Sequence, residues 1–375
     1  MTAVTALAVG LLVTGNALAD TRRISDGNDR PGPLDIRSAS HGHAGTRVVH
    51  TISTFSTWSI GLLGLSTPNL FALEISTDAD PALERVVLVF SANGRMVANV
   101  FRLPGGSFIG SATASRPNAR TVRVSILRSR LGNPVGYRWN ATSQYQAVGT
   151  CSRVCIDRAP NFGRVLHDIT APAVGLTSFP VIPPDIDYDV SFQVSDKGGA
   201  GLRRWTLQHR ELGTAPWTQV ATGTTGGLKS PHYISAEDTD DQFRVVVVDR
   251  HGNVRVSPIR LVSVPLDDPA LTYSPGWNAG AGMSTDFRVT RHASATVLDT
   301  ATHTFTGRYF AWVAPGGGDG MASVLTEDGL TDVILAGFAG PRRIVFEHTF
   351  ASVAMHSITI TVTGGTVPID GIIVR

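Results

Sequence analysis

The chain has 375 residues, 32 Lys and Arg against 30 Asp and Glu, and a formal net charge of +2. With charge this balanced and no block of five like charges, there is no electrostatic footprint for nucleic acid or an anionic membrane surface. Charged residues make up only 17% while Gly alone numbers 39, a composition that suits strands and tight turns and argues against amphipathic helices.

The chain opens with MTAVTALAVGLLVTGNALA, residues 1–19, an apolar run without charge that ends in Ala17-Leu18-Ala19. Small residues at a cleavage point behind a short apolar core are the pattern of a secretory signal peptide. Thr14, Gly15 and Asn16 interrupt the run, and it falls short of the roughly 20 apolar residues a bilayer core requires. A cleaved leader is therefore expected in preference to a membrane anchor, although no Lys or Arg precedes Arg22 to supply the usual basic segment. The mature chain is expected to be secreted, with no integral span. About 355 residues remain, more than one hydrophobic core usually serves. Pro-rich, aperiodic stretches at 159–174 and 263–277 mark seams. Cutting there gives 20–168, 169–265 and 266–375.

In the first segment, LFALEIS places Phe71, Leu73 and Ile75 on one face, and TVRVSIL does the same with Val122, Val124 and Ile126. RVVLVF is apolar on both faces and reads as a central strand. Asn93-Gly94 behind it is a hairpin signal, and a short helical turn fits near Arg128–Leu131. Asp78, Asp80 and Glu84 offer carboxylates in one turn, with Asp26, Asn28, Asp29 and Asp35 as possible supplements, a set of hard oxygen donors suited to calcium. Acidic turns joining strands are also ordinary, and the spacing is not that of an EF-hand. His41, His43 and His50 form a second candidate, since residues two apart on a strand point the same way and two imidazoles could grip zinc or copper. Exposed polar histidines would look the same. Cys151 and Cys155 are the only cysteines, and outside the cytoplasm they are expected to form a local disulfide; a zinc site lacks the further ligands it would need.

The middle segment sets Tyr188, Val190, Phe192 and Val194 at period two. The stretches Trp205-Thr-Leu-Gln-His-Arg, Trp217, Phe243-Arg-Val and Asp249-Arg-His-Gly-Asn follow. These stretches resemble the strands of fibronectin type III and bacterial Ig-like modules, which implies a seven-stranded sandwich over about 90 residues. The last segment carries Phe310 with Trp312, then Ile344, Phe346 and His348, then Ile358, Ile360 and Val362, as eight short strands of jelly-roll kind. Glu327-Asp328-Gly329, His356 and Asp370-Gly371 make it similar to galactose-binding-like domains, often carbohydrate-binding modules. The first segment resembles family 9 carbohydrate-binding and DOMON-type sandwiches through Gly32-Pro-Leu-Asp-Ile-Arg, Phe71-Ala-Leu-Glu-Ile-Ser-Thr-Asp-Ala-Asp and Glu84-Arg-Val-Val. A Met and His pair for haem is missing, so no redox role is carried over.

No G-x-S-x-G elbow, free reactive Cys or H-E-x-x-H occurs, and no carboxylate pair stands out. Sugar binding needs aromatic faces in the open. Trp58, Tyr273 and Trp277 lie in turn-like stretches and are the candidate platforms, whereas Trp139, Trp205 and Trp312 alternate with apolar residues and belong in the core. The expectation is an all-β protein of three tandem sandwiches, secreted and non-catalytic, attaching to extracellular polysaccharide or cell-envelope glycan, with calcium as its one possible cofactor. A surface protein adhering to protein partners and an unrecognised extracellular hydrolase are the alternatives.

Overall fold

The computed structural model describes residues 19–78, 82–146, 151, 154–213, 216–316, 319–337 and 342–375. The leader through residue 18 and Asp80 lie outside the described residues. The protein is all-β: among the described residues the only helical elements are four short 3-10 turns. None is long and apolar enough to cross a membrane. The chain divides into two compact units, Met1–Ala173 with Ser195–Arg203 and Val248–Arg255, and Val174–Val194 with Arg204–Val247 and Val256–Arg375.

The first unit is built from β1 (Ala19–Ser25), β2 (Ile36–Ala44), β3 (Arg47–Thr54), β4 (Leu70–Ser76), β5 (Arg85–Ala92) and β6 (Arg95–Arg102), continued by β7 (Ser107–Asn118), β8 (Thr121–Leu127), β9 (Gly136–Tyr145), β10 (Cys155–Ala159) and β11 (Val165–Asp168). They form one sheet in the order β1-β2-β3-β8-β7-β6-β5-β4-β9-β10, with β11 also on β9. The strands at the two ends share a core: Ile36, Val48, Ile52, Val122, Val124 and Ile126 meet Phe71, Leu73, Ile75, Val87, Val89 and Trp139. The period-two patterns thus do what they predict, and each such side chain contributes about 1.5–3 kcal/mol on burial. The sheet curls until β2 and β10 are neighbours, where the Ile36 amide donates to Asp157 Oδ2 at 2.6 Å. Asn93 and Gly94 both take positive φ, 51° and 71°, in the two-residue turn that pairs Ala92 with Arg95. The helical turn falls at Arg128–Leu131. Cys151 and Cys155 are joined as a disulfide with their Cα atoms 5.5 Å apart.

In the second unit the region 174–264 buries Tyr188, Val190, Phe192, Trp205, Leu207, Phe243, Val245 and Val262. The C-terminal region holds a seven-stranded sheet and a three-stranded one. Here the structure departs from eight short strands. RYFAWVA extends into Thr300–Pro315, and RRIVFEHTF and HSITITVTG are one 23-residue strand, Arg342–Gly364. A register shift between Gly307 and Tyr309 absorbs the break that the sequence suggests. Trp139 and Trp312 are fully buried, and Trp205 is nearly so.

Candidate functional site

The aromatic platforms read from sequence are not open to a ligand. Trp58 is 4% and Trp277 7% exposed. The Arg116 guanidinium covers Trp58 at 4.7 Å, and Phe71 packs against the same ring at 5.4 Å. Tyr273 is half-buried, stacked on His292 at 4.1 Å and tilted against Trp277, while its hydroxyl donates to the Asp268 carbonyl. In each case a turn-like sequence returns its aromatic to the core, because a ring is worth more buried than exposed. The residues matched to galactose-binding-like domains are likewise engaged internally. His356 pairs with Glu327 and His348 with Asp328. Fully buried Asp370 accepts from the Phe287 amide and the Arg342 guanidinium.

The acidic turn at Asp78 is also occupied with its own geometry. Glu84 Oε2 accepts from the Thr77 amide at 2.6 Å, tying the two ends of the turn together, and Asp78 is exposed. The carboxylates that do converge lie elsewhere in the first unit. Oxygens of Asp26, Asp29 and Asp157 lie within 4.8 Å of one another, and so do those of Asp168, Asp196 and Asp249. Asp35 adjoins the first group: burial and the Asp157 carboxylate push it up to about 7, and the same two causes push Asp26 up to about 6. Burial raises Asp157 as well. Asp26, Asp29 and Asp35 are thus among the residues read from sequence, but they meet Asp157 and not the Asp78 turn. Asp157 has a sequence signal in retrospect: in CIDRA it sits at the inward beat between Cys155 and Ala159, all three buried.

The histidines form a buried network and are not exposed. His41 and His50 lie in the core with His167, and His43 and His251 border them. His41 stacks on His167 with centroids 4.1 Å apart, and Trp139 Nε1 donates to His41 Nδ1 at 2.7 Å. Tyr137 Oη lies 2.7 Å from His50 Nε2 and 2.8 Å from His167 Nδ1, so the hydroxyl donates to one ring and accepts from the other. His50 Nδ1 has no partner among the described residues. Orphaned buried N–H groups are rarer than open acceptors, and on that ground we assign the His50 proton to Nε2 and direct the Tyr137 proton to His167. His167 Nε2–H then faces His43 Nδ1 at 3.3 Å. Burial first, and the His41 ring second, lower both His50 and His167 and keep them neutral. His41 and His43 do share a strand face as the H-x-H spacing implies, but among the described residues it is the carboxylates that bring three ligand atoms together.

A cleft of about 690 Å³ opens on the outer face of β4, β9 and β10. Its floor is Glu74, Arg138, Asn140 and Arg158, which alternate with the core residues Leu73, Ile75, Trp139 and Ala141. The turn from Pro160 to Arg164 forms its rim and holds Phe162, 93% exposed. Arg158 pairs loosely with Glu74 at 3.8 Å. Asn140 is 5% exposed, yet its Oδ1 has no hydrogen-bond partner among the described residues. A buried acceptor left open costs about 1–3 kcal/mol unless a ligand or water satisfies it. Phe162 lies in the aperiodic APNFGR stretch, where no alternation marks which way a side chain faces. An aromatic between Pro and Gly with no alternating partner was the available signal.

No family model matches the sequence, and no curated protein matches it. Among solved structures the chain is similar to a marsupial T cell receptor, at 10% identity over 88% of this chain and 94% of that one, with a TM-score of 0.37. Carbohydrate-binding modules from the β-sandwich superfamily match at 13% over 55% and 99%, TM-score 0.29. The FN1-FN3 domains of chicken CNTN1 match at 10% over 94% and 98%, TM-score 0.27. With TM-scores this low, none of these likenesses carries an argument about function.

Proposed function

We propose that this is a secreted binding protein of three sandwich modules, 20–168, 169–265 and 266–375, exported by its leader and attaching to extracellular glycan through the first module. The observation that supports this reading is the cleft, which combines an aromatic face in the open, a buried acceptor without a partner and three arginines. Phe162 offers its ring to pyranose C–H groups, Asn140 Oδ1 accepts a hydroxyl, and Arg138, Arg158 and Arg164 favour a carboxylate or sulfate on the chain. The ligand class is therefore an anionic polysaccharide. Glu74 is the one carboxylate among the described lining residues, whereas glycoside hydrolysis generally uses two flanking the scissile bond, which favours binding over cleavage.

The test is affinity electrophoresis of the mature chain through polygalacturonate, alginate and neutral glucans. Retention by an anionic glycan, weakening as salt rises, and a loss of about tenfold or more on Phe162→Ala are expected. Phe162 is so exposed that this substitution leaves the fold intact. No retention by any glycan, or full retention by the variant, would sink the reading.

A further inference from the structure

Oxygens of Asp26, Asp29 and Asp157 lie within 4.8 Å of one another with Asp35 beside them, and several oxygens of this group lack a donor among the described residues. Asp35 is 1% exposed, and neither of its carboxylate oxygens has a partner at full hydrogen-bond geometry among the described residues, although the Arg30 amide lies close enough to favour its charged form. Asp26 Oδ2 is buried and equally without one. Asp157 and, less strongly, Asp29 are the carboxylates that act on Asp35, which sets it beside the cluster. Asp157 is held in place from behind, its two oxygens accepting from the Ile36 amide at 2.6 Å and the Arg158 amide at 2.7 Å. Each amide uses one lone pair, and a carboxylate has about four, so Asp157 keeps capacity on the cluster side. The charged groups that act most strongly on Asp26 and Asp35 are other carboxylates. Carboxylates turned toward one another with no cation between them are unstable in a buried setting.

From this convergence and these open buried oxygens we infer that Asp26, Asp29, Asp35 and Asp157 form a calcium site. The donor set is oxygen only, which excludes the softer metals that prefer imidazole and thiolate. Four carboxylates suit calcium, which takes six to eight oxygens in flexible geometry, better than magnesium, which keeps most of its waters and takes one or two carboxylates. The ion joins two stretches distant in sequence: the segment from the turn after β1 to the residue before β2, and β10. Calcium outside cells stands near the affinities such modules use, on the order of 10⁻⁴–10⁻³ M.

The test uses the mature full chain. Isothermal titration with calcium chloride is expected to show one saturable site assigned to this cluster. Adding 10 mM calcium to EDTA-treated protein is expected to raise Tm by about 5–10 °C. Asp35→Asn abolishes both responses, and in EDTA at pH 8 it also melts higher than the wild type, because it removes a buried carboxylate set among other carboxylates. That second readout guards against simple misfolding. Asp78→Asn and Asp196→Asn leave the calcium response unchanged. The inference is overturned if Asp35→Asn binds calcium as the wild type does or melts lower in EDTA, if Asp196→Asn abolishes the response, or if magnesium at equal concentration gives the same shift. Glycan retention is scored separately, so the cleft reading and the metal site fail independently.

Discussion

Asp168, Asp196 and Asp249 bring three carboxylates together, and so do Asp26, Asp29 and Asp157, but their oxygens are treated differently. In the first group every oxygen has a donor. Asp168 accepts from the Thr170 and Ala200 amides, Asp196 from those of Gly198 and Gly201, and Asp249 from the His251 and Asn253 amides and the Asn253 side chain. A Cβ on Gly198 would stand 1.8 Å from Asp168 Oδ1, so the close approach of that loop requires glycine. The Asp168 amide in turn donates to His251 Nδ1, which ties this cluster to the histidine network. In the second group Asp26 Oδ2 is left open, as are both oxygens of the neighbouring Asp35 at full hydrogen-bond geometry, among the described residues. Proximity of carboxylates therefore does not by itself mark a cation site. The count of donors separates a cluster that holds turns from one that lacks a positive charge.

The largest effect is expected where the network is closed. Asp249→Ala strands three donors, two of them buried, and a loss of about 3–5 kcal/mol follows, read as the fall in the urea midpoint. A loss below about 1 kcal/mol would mean that the donors find water, and the contrast between the two clusters would weaken.

The histidines of the same network supply the next effect, with a sign that can be fixed in advance. His50 and His167 are held neutral in the fold, while the unfolded chain takes up protons near pH 6.5. Their depressed folded-state values mean that stability is intact above pH 6.5 and is lost as pH falls below it, the unfolded state gaining protons that the native state refuses. Relative to a His50→Gln, His167→Gln variant, the wild type should lose about 2 kcal/mol between pH 6.5 and 5.5. His41, His43, His251 and Tyr137 face these rings and remain in both proteins, so the difference isolates the pair. A gap that stays constant with pH would show that the two rings titrate normally in the fold.

The open cluster predicts the opposite response to loss of a carboxylate. In EDTA at pH 8, where Asp35 is ionised, Asp35→Asn should stabilise the protein by about 1–2 kcal/mol, since an amide can donate to Asp157 where a carboxylate repels it. With saturating calcium the order reverses and the wild type is the more stable. The same pair of urea curves, with and without calcium, reads both signs.

Much of the scaffold was legible in advance, because period-two burial is a local property: Phe71, Leu73 and Ile75, or Val122, Val124 and Ile126, declare their face within seven residues. The Asn93-Gly94 hairpin is equally local. What was not legible depends on which strands the curled sheet brings together. Asp35 and Asp157 are 122 positions apart by subtraction of their numbers, and only the closing of β2 on β10 joins them. His167 and His251 enter the histidine cluster by the same kind of long-range pairing. The aromatics erred for another reason. Trp58 and Trp277 sit beside turn residues, and local sequence cannot tell a ring that leaves a turn outward from one that folds back under it.

The smallest expected effect links the open cluster to the cleft. Asn161 Nδ2 donates to Asp29 Oδ2 at 3.3 Å while Asn161 also lines the cleft, and Asp157 and Arg158 are neighbours on β10 whose side chains take opposite faces, one to each site. A bound cation that fixes Asp29 therefore also fixes the rim that holds Phe162. Calcium should tighten glycan binding a few-fold, and by reciprocity a saturating glycan should tighten calcium binding by the same factor. Asn161→Ala should bring that factor to one while leaving calcium binding in the absence of glycan within about twofold, since the amide touches Asp29 only from outside the cluster and an exposed hydrogen bond is worth well under 1 kcal/mol net. Two calcium titrations of each protein, with and without the retained polysaccharide, decide it. Equal coupling in the variant and the wild type would mean that the rim takes its order from β10 alone.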